Sequence, residues 1–348
     1  MGLKIGFVGV GGISQRHLGN ASKRDDIEIL GHADIIMSRA EAAAETYGGR
    51  AYNCCVDLYE NEKPDAVVIC TPPYAHGDIE EEAAKRGIHF FVEKPCAVSL
   101  DLAKRVKEAV DTHGVLAQVG YMYRFAEGVL KAKELLSTRR IAMVQQHFYM
   151  PGMPAKPWWA KLEMSGGQLT EQSTHMLDLG RFLAGDVVAV TGRTARVHDW
   201  TPEPGAPVSD SGLTGAYPGF TIPDTTALTL EYASGALGTL SCSMVPGTQW
   251  DNGFRIVAEG LLVTIAGGNV SWAGEEQGSV AAGDNWASYV LYDFFDAVIE
   301  GRDATTVPYD EGIRSLAISL AGYASQEQGG AVISPQDLIA DVFGTALG

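Results

Sequence analysis

The run Gly9-Val10-Gly11-Gly12-Ile13-Ser14, set directly after the apolar stretch Leu3–Val8, constrains this chain more than any other segment. Glycines at the first two positions of a G-x-G-x-x signature let a strand turn sharply into a helix and bring backbone close to a pyrophosphate at the helix N-terminus. Ser14 takes the third signature position, where Gly or Ala is usual. The next strand-like run, Ile27–Ala33, ends at Asp34, 25 residues after Gly9. That is near the spacing of the acid that accepts ribose hydroxyls in dinucleotide-binding sheets. Gly9, Gly11, Gly12, Ile13, Ser14 and Asp34 are therefore expected to hold NAD. A carboxylate at 34 repels a 2′-phosphate, and Arg39 keeps NADP as the minority alternative.

The first third continues the same alternation. Strand-like runs at Ala66–Cys70, Ile88–Val92 and Val115–Val119 are interleaved with helix candidates at Arg39–Tyr47, Ile79–Arg86 and from the N-cap Ser99 to His113, each stopped by glycine. In the last helix Leu102, Val106 and Val110 define an expected buried stripe. This is the pattern of a doubly wound parallel sheet. After about Met122 the rhythm changes to long strand-like runs: Ile141–Tyr149, Val187–Val197, Thr225–Tyr232, Leu237–Met244 and Phe254–Ile265, with few helices between them. An open, mainly antiparallel sheet is expected there, with Ala233-Ser234-Gly235 as a hairpin turn. Asp199–Asp224 carries five prolines and four glycines and reads as a long irregular loop. Late helices are expected at Trp286–Glu300 and Glu311–Glu327, packing back toward the first domain. The fold class is α/β, a Rossmann domain over residues 1–122 followed by an α+β domain over 123–348. A strand-rich second domain with too few helices to cover both sheet faces predicts a homodimer or homotetramer.

Composition narrows the partners. The 348 residues carry a formal net charge of −17, which repels phosphate backbones and argues against nucleic acid. No stretch approaches the roughly eighteen apolar residues of a membrane helix, and Met1–Val10 reads as a strand rather than a signal peptide. Five cysteines, an odd number with no C-x-x-C pair, suit reduced thiols in a cytoplasm and predict no metal site.

Three segments follow strands at the edge where a cofactor would lie. Thr71-Pro72-Pro73, with His76 after it, ends one; Glu93-Lys94-Pro95 ends the next; Gly120-Tyr121-Met122-Tyr123-Arg124-Phe125 ends the fifth. The second domain adds Gly166-Gly167-Gln168-Leu169-Thr170-Glu171-Gln172-Ser173-Thr174-His175-Met176-Leu177-Asp178. With these motifs in place the chain resembles, over nearly its whole length, the glucose–fructose oxidoreductase, inositol dehydrogenase and rhizopine catabolism family, written Gfo/Idh/MocA. The resemblance implies a Rossmann domain followed by a substrate-binding α/β domain whose open sheet often makes oligomer contacts. It implies an NAD(P)-dependent dehydrogenase or reductase of sugars, polyols and related cyclic compounds, with Thr71, Pro72, His76, Glu93 and Lys94 joining the cofactor-binding set. The family's catalytic Lys matches Lys94 and its catalytic His matches His175. Glu171 stands where the family usually has Asp, and Ser173 where it usually has Gly.

Oxidising a secondary alcohol removes a hydroxyl proton as hydride leaves the same carbon, which calls for a base near the working pH. His175 suits that role, Lys94 that of a cation facing the developing alkoxide, and Glu171 that of a carboxylate orienting either group or a neighbouring hydroxyl. On one continuous helix Glu171 and His175 would share a face, as would Asp178. Asp178 is alternatively a structural partner within the second domain. Tyr123, Arg124, Trp158 and Trp159 are candidate substrate contacts. Two alternatives remain at this point: a glycosidase that oxidises its sugar transiently with bound NAD, and a dinucleotide-binding regulator without turnover.

Overall fold

A computed structural model describes residues 2–154, 156–198, 220–247, 250–345 and 347. The chain divides into two units, Met1–Tyr121 with Ser288–Ile313, and Met122–Ala287 with Arg314–Gly348.

In the first unit, short runs of apolar and β-branched residues become parallel strands, and the central ones are buried on both faces, as strands under helices must be. The strands are β1 (Leu3–Val8), β2 (Ile27–Ala33), β3 (Arg50–Tyr52), β4 (Ala66–Ile69), β5 (His89–Val92) and β6 (Ala117–Val119). Their order is β3-β2-β1-β4-β5-β6, with every pairing parallel. The strand order reverses between β1 and β4, the switch point at which such sheets hold ligands beyond their carboxyl ends. Helices α1 (Gly12–Ala21), α2 (Met37–Tyr47), α3 (Cys55–Glu62), α4 (Asp78–Lys85) and α5 (Leu100–His113) make the crossovers. In α5, Ser99 Oγ accepts the Leu102 N–H at 3.3 Å and Gly114 closes the helix in the left-handed region, as its sequence predicts. The expected stripe is displaced, however: Leu100, Ala103 and Val106 are buried, whereas Leu102 and Val110 are only half-buried. β3 and α3 are additions to the elements that the sequence pattern predicts. A three-residue edge strand with an exposed Arg50 carries almost no hydrophobic pattern.

The second unit is built on β7 (Ile141–Tyr149), β8 (Val187–Ala195), β9 (Thr225–Tyr232), β10 (Leu237–Ser243), β11 (Asp251–Ala258), β12 (Leu261–Ala266), β13 (Asn269–Gly274) and β14 (Gly278–Val280). They form a single sheet in the order β14-β13-β12-β11-β7-β10-β9-β8. It is mainly antiparallel, with β7 and β10 paired in parallel. Ala233-Ser234-Gly235 makes the β9–β10 hairpin, with Gly235 at φ +85°. The expected single run Phe254–Ile265 is instead two strands, because Glu259-Gly260 turns the chain with Gly260 at φ +69°. Residues 199–219 of the expected Pro-rich loop lie outside the described residues.

Strict alternation along β9 and β10 turns Leu228, Leu230, Leu240 and Cys242 to a buried face. Helices α6 (Glu127–Leu136), α7 (Leu162–Ser165), α8 (Gly167–Glu171) and α9 (Thr174–Ala184) follow β6 and β7 in the chain. Val129 and Leu136 of α6, with Met176, Leu179 and Leu183 of α9, pack into the same apolar cluster as Val144, Leu228, Leu240 and Val263. The other face leaves Met143, Val188, Leu237 and Val257 exposed. Late in the chain come α10 (Tyr289–Glu300), after a short 3-10 turn at Trp286–Ser288, then α11 (Tyr309–Glu327) and α12 (Pro335–Phe343). Among the described residues no helix is long and apolar enough to cross a membrane, and no group of three or more His, Cys, Asp or Glu side chains is placed to hold a metal.

Candidate active site

The nucleotide cradle lies in the first unit. Gly9 has φ +78°, and a Cβ there would come within 2.9 Å of the Cys70 carbonyl carbon and the Thr71 nitrogen. Only glycine lets the β1 turn lie so close to the end of β4. A Cβ on Gly11 or Gly12 would meet nothing within 4 Å, so open space fronts the start of α1. No side chain caps that helix, and its first turn carries no acid. Its leading N–H groups are thus directed at an anion seat, which fits a pyrophosphate. Ser14 replaces the usual small residue without penalty because its hydroxyl donates to the Gly11 carbonyl at 2.6 Å. Ile13 is 39% exposed beside it.

Asp34 is buried at the end of β2, and its carboxylate is already engaged. Oδ2 accepts the Val10 N–H at 3.0 Å and Oδ1 accepts the Ile36 N–H at 2.8 Å. One acid therefore ties the glycine turn to the following loop. Each oxygen keeps a further lone pair for a ribose hydroxyl.

Around the carboxyl ends of β4 and β5 the sequence candidates are half-buried or buried. Thr71, Pro72, Glu93 and Lys94 are half-buried; the Lys94–Pro95 peptide is cis. Glu93 is held by His17, whose Nε2 lies 2.6 Å from Oε1, while Glu93 Oε2 accepts the Lys94 N–H at 3.2 Å. A Cβ at Gly120 would sit 3.2 Å from that same Oε2, so the bare backbone of Gly120 makes room for the acid. His76 is buried with its nitrogens turned to protein carbonyls: Nε2 lies 3.1 Å from Thr71 O and Nδ1 3.3 Å from Cys96 O. Burial pushes the pKa of its neighbour Glu80 up, and His76 opposes that rise. His17 and Glu80 were missed in the sequence because neither belongs to a strand-end motif.

In the second unit Glu171 and His175 are both buried, yet not on one continuous helix. α8 ends at Glu171, the chain turns through Gln172-Ser173, and His175 stands in the first turn of α9. The His175 N–H donates to the Gln172 carbonyl at 3.2 Å, and the Met176 N–H to that of Ser173 at 2.9 Å. The helical i, i+4 relation expected for Glu171 and His175 is replaced by a tight corner. His175 and Asp178 do share α9.

Tyr123 packs edge-on against the His175 ring, centroids 5.4 Å apart, and lies 5.1 Å from the Trp286 ring. Its hydroxyl donates to Asn252 Oδ1 at 3.2 Å, while burial pushes the phenol's pKa up. Trp286 and Asn252 are distant in sequence and no motif marks them. Arg124 turns away from any ligand role: Nε and Nη2 donate to the two oxygens of Asp178 at 2.9 and 2.6 Å, and the guanidinium lies 5.2 Å from the Phe182 ring. Asp178 is thus the structural partner of Arg124. Trp159 is 1% exposed in the apolar cluster and has no face for a substrate, whereas Trp158 is half-buried with Lys156 Nζ 5.6 Å from its ring.

Comparison with known proteins agrees with this architecture. Residues 3–121 match the profile of the GFO_IDH_MocA oxidoreductase family, NAD-binding Rossmann fold, and residues 129–260 that of the GFO/IDH/MocA C-terminal domain. Inositol 2-dehydrogenase of Rhizobium meliloti (strain 1021) is 28% identical over 297 residues, 85% of this chain and 83% of that protein. The scyllo-inositol 2-dehydrogenase (NAD(+)) of Bacillus subtilis (strain 168) is 31% identical over 195 residues, 55% of this chain and 56% of that one. The WlbA dehydrogenase of Bordetella pertussis, solved with NADH and UDP-GlcNAcA, superposes with a TM-score of 0.80 at 25% identity, covering 96% of this chain and 99% of that chain. Two family profiles in tandem, one on each unit and together spanning most of the chain, make it a member of the Gfo/Idh/MocA family of oxidoreductases, with an NAD-binding Rossmann domain.

Proposed function

We propose that this protein transfers a hydride between NAD and a ring hydroxyl, or the corresponding ketone, of a sugar, inositol or glycoside. The observation that carries the reading is the pair of buried ionisable side chains at the α8–α9 corner, Glu171 and His175, with an aromatic ring against the histidine. Burying two such groups without a task is unfavourable. The start of α1, Gly9, Gly11, Gly12, Ser14 and Asp34 would hold the dinucleotide, with Thr71, Pro72, Glu93 and Lys94 at the edge of the same sheet. NAD, when bound, takes up or returns the hydride.

His175 removes the hydroxyl proton from the alcohol, Lys94 stabilises the oxygen as negative charge develops, and Glu171 orients the reacting group or holds an adjacent hydroxyl. Lys94 and His175 match the positions of the family's catalytic Lys and His, which supports giving them these roles. Tyr123, Trp158 and Trp286 offer aromatic faces in the second unit that suit a sugar or cyclitol ring. The test is a panel of glucose, myo-inositol, scyllo-inositol and methyl glucosides with NAD, followed at the NADH absorbance. A dehydrogenase accumulates NADH; cleavage of a glucoside without net NADH would favour the transient-oxidation glycosidase. Binding of NAD with no turnover on any member would favour a regulator.

Asp34 sets the cofactor preference in this reading. Wild-type protein should bind NAD on the order of tenfold to a thousandfold more tightly than NADP, the scale of hydrogen bonds to a carboxylate plus phosphate repulsion. Asp34→Ser should narrow that gap while weakening NAD, because it also releases the Val10 N–H. Calorimetric titration with both dinucleotides measures it, and equal or tighter NADP binding by the wild type would refute the preference.

A further inference from the structure

Behind the Lys94 loop lies a buried group of side chains that the reaction does not itself use. His76 sees two carbonyl oxygens and a carboxylate: Thr71 O at 3.1 Å from Nε2, with Cys96 O and Glu80 Oε1 each 3.3 Å from Nδ1. Glu80 Oε1 is near enough for charge attraction but off the line of a hydrogen bond, which the Cys96 carbonyl takes. The three are acceptors, and a neutral imidazole has only one N–H to offer them. In that form a lone pair would face one carbonyl. An imidazolium would give each carbonyl a donor, and a carboxylate at Glu80, wholly buried, would supply the balancing charge. Its other oxygen accepts the Gly77 N–H at 2.5 Å, and its neighbour Glu81 is paired separately with Arg105 at 2.6 Å.

The two carbonyls belong to the loops that end β4 and β5, and Cys96 is two residues after Lys94. That carbonyl also accepts the Tyr309 hydroxyl at 3.1 Å. On the other side of Lys94, Glu93 is fixed by His17 at 2.6 Å. The lysine is therefore bracketed by two held residues. We infer that His76 and Glu80 form a buried ion pair that ties the Thr71 and Cys96 carbonyls together and so sets the position of Lys94; both are positioning residues, and His76 is not itself a cofactor contact. This inference rests on the role proposed above for Lys94.

Glu80→Gln distinguishes this from simple capping of α4. The amide oxygen still accepts the Gly77 N–H, while the charge facing His76 is gone. NAD affinity by calorimetry should stay near wild type, whereas the unfolding midpoint should fall, because His76 loses its buried counter-charge, so turnover is compared at a temperature where both proteins are folded. Turnover of the best substrate in the panel should fall about tenfold with KM within about twofold, the scale of a lost supporting contact behind an active group. In a Lys94→Ala background the same change should lower turnover by no more than about twofold, because coupled residues are not additive. Nitrogen-15 spectra at neutral pH should show two ring N–H groups on His76 in the wild type and one in Glu80→Gln.

Wild-type turnover in Glu80→Gln beside a lowered turnover in Lys94→Ala would overturn the inference, as would multiplicative losses in the double variant. So would a single ring N–H on wild-type His76, a result that needs no variant to fold. Normal turnover in Lys94→Ala would instead remove the role of Lys94, and the ring protons would still decide whether the ion pair exists.

Discussion

Lys94→Ala and His175→Ala should each lower turnover by at least about a hundredfold, the scale of a positioned proton-transfer or charge-stabilising group. NAD affinity should be nearly unchanged in His175→Ala, since His175 belongs to a different unit from the glycine turn and Asp34. Single-turnover hydride transfer at saturating NAD measures the step directly. Near-wild-type rates in both variants would remove the proposed mechanism. Glu171→Asp refines the same experiment, because it restores the commoner family residue yet withdraws the carboxylate by roughly 1.5 Å, one carbon–carbon bond. At the α8–α9 corner a shift of that size matters, since catalytic groups act within fractions of an ångström. Turnover in Glu171→Asp should fall if the longer side chain is fitted to this corner. Unchanged turnover would mean that the site asks only for a carboxylate.

Loss of the Arg124–Asp178 pair should be the largest single-residue effect on stability. Both side chains are almost wholly buried and joined by two hydrogen bonds. Ser315 Oγ adds a third contact to Asp178 at 3.3 Å. Removing one partner strands a charge in the interior, which costs about 3–5 kcal/mol. For a unit of this size that corresponds to roughly 6–20 °C in the unfolding midpoint. Arg124→Ala and Asp178→Ala should both show it in thermal or urea unfolding, whereas Arg124→Met combined with Asp178→Leu should recover much of the loss. A loss below about 1 kcal/mol in either single variant would show the pair to be energetically idle. The pair has a second consequence. Arg124 is next to Tyr123, and Asp178 stands one turn from His175 on α9, so the same short segment that is clamped to Asp178 lays its aromatic ring against His175. Either single variant is therefore expected to lose activity beyond what unfolding explains at low temperature.

Several features could be read locally because their causes are local. The glycine turn, the acid at the end of β2 and the Ser99 cap depend on backbone conformation and on spacings of a few residues to one β-α-β unit. The hairpin at Ala233-Ser234-Gly235 could be read for the same reason. The Gly260 turn escaped notice because Glu259-Gly260 interrupts a nearly continuous apolar run, and α3 because Cys54-Cys55 offers none of the usual starting residues. The corner at Gln172-Ser173 was hidden for a different reason: the residues around it all accept helical conformations, so a single helix satisfies the same pattern.

What the sequence by itself determined is the reaction class and its furniture: a parallel sheet with a glycine turn after its first strand, a carboxylate at the end of the second, a strand-end lysine and a histidine-bearing segment in a strand-rich second unit. Only the tertiary structure decided which polar residues are left to act. Arg124 found its carboxylate 54 residues away and ceased to be a candidate ligand group; Glu93 found His17 76 residues back; His76 was turned inward by carbonyls from two separate loops. The physical reason is the same in each case. A side chain's chemistry is fixed by its type, but its task depends on which partners satisfy its hydrogen bonds and charge, and those partners come from residues that only folding brings within 3 Å or so.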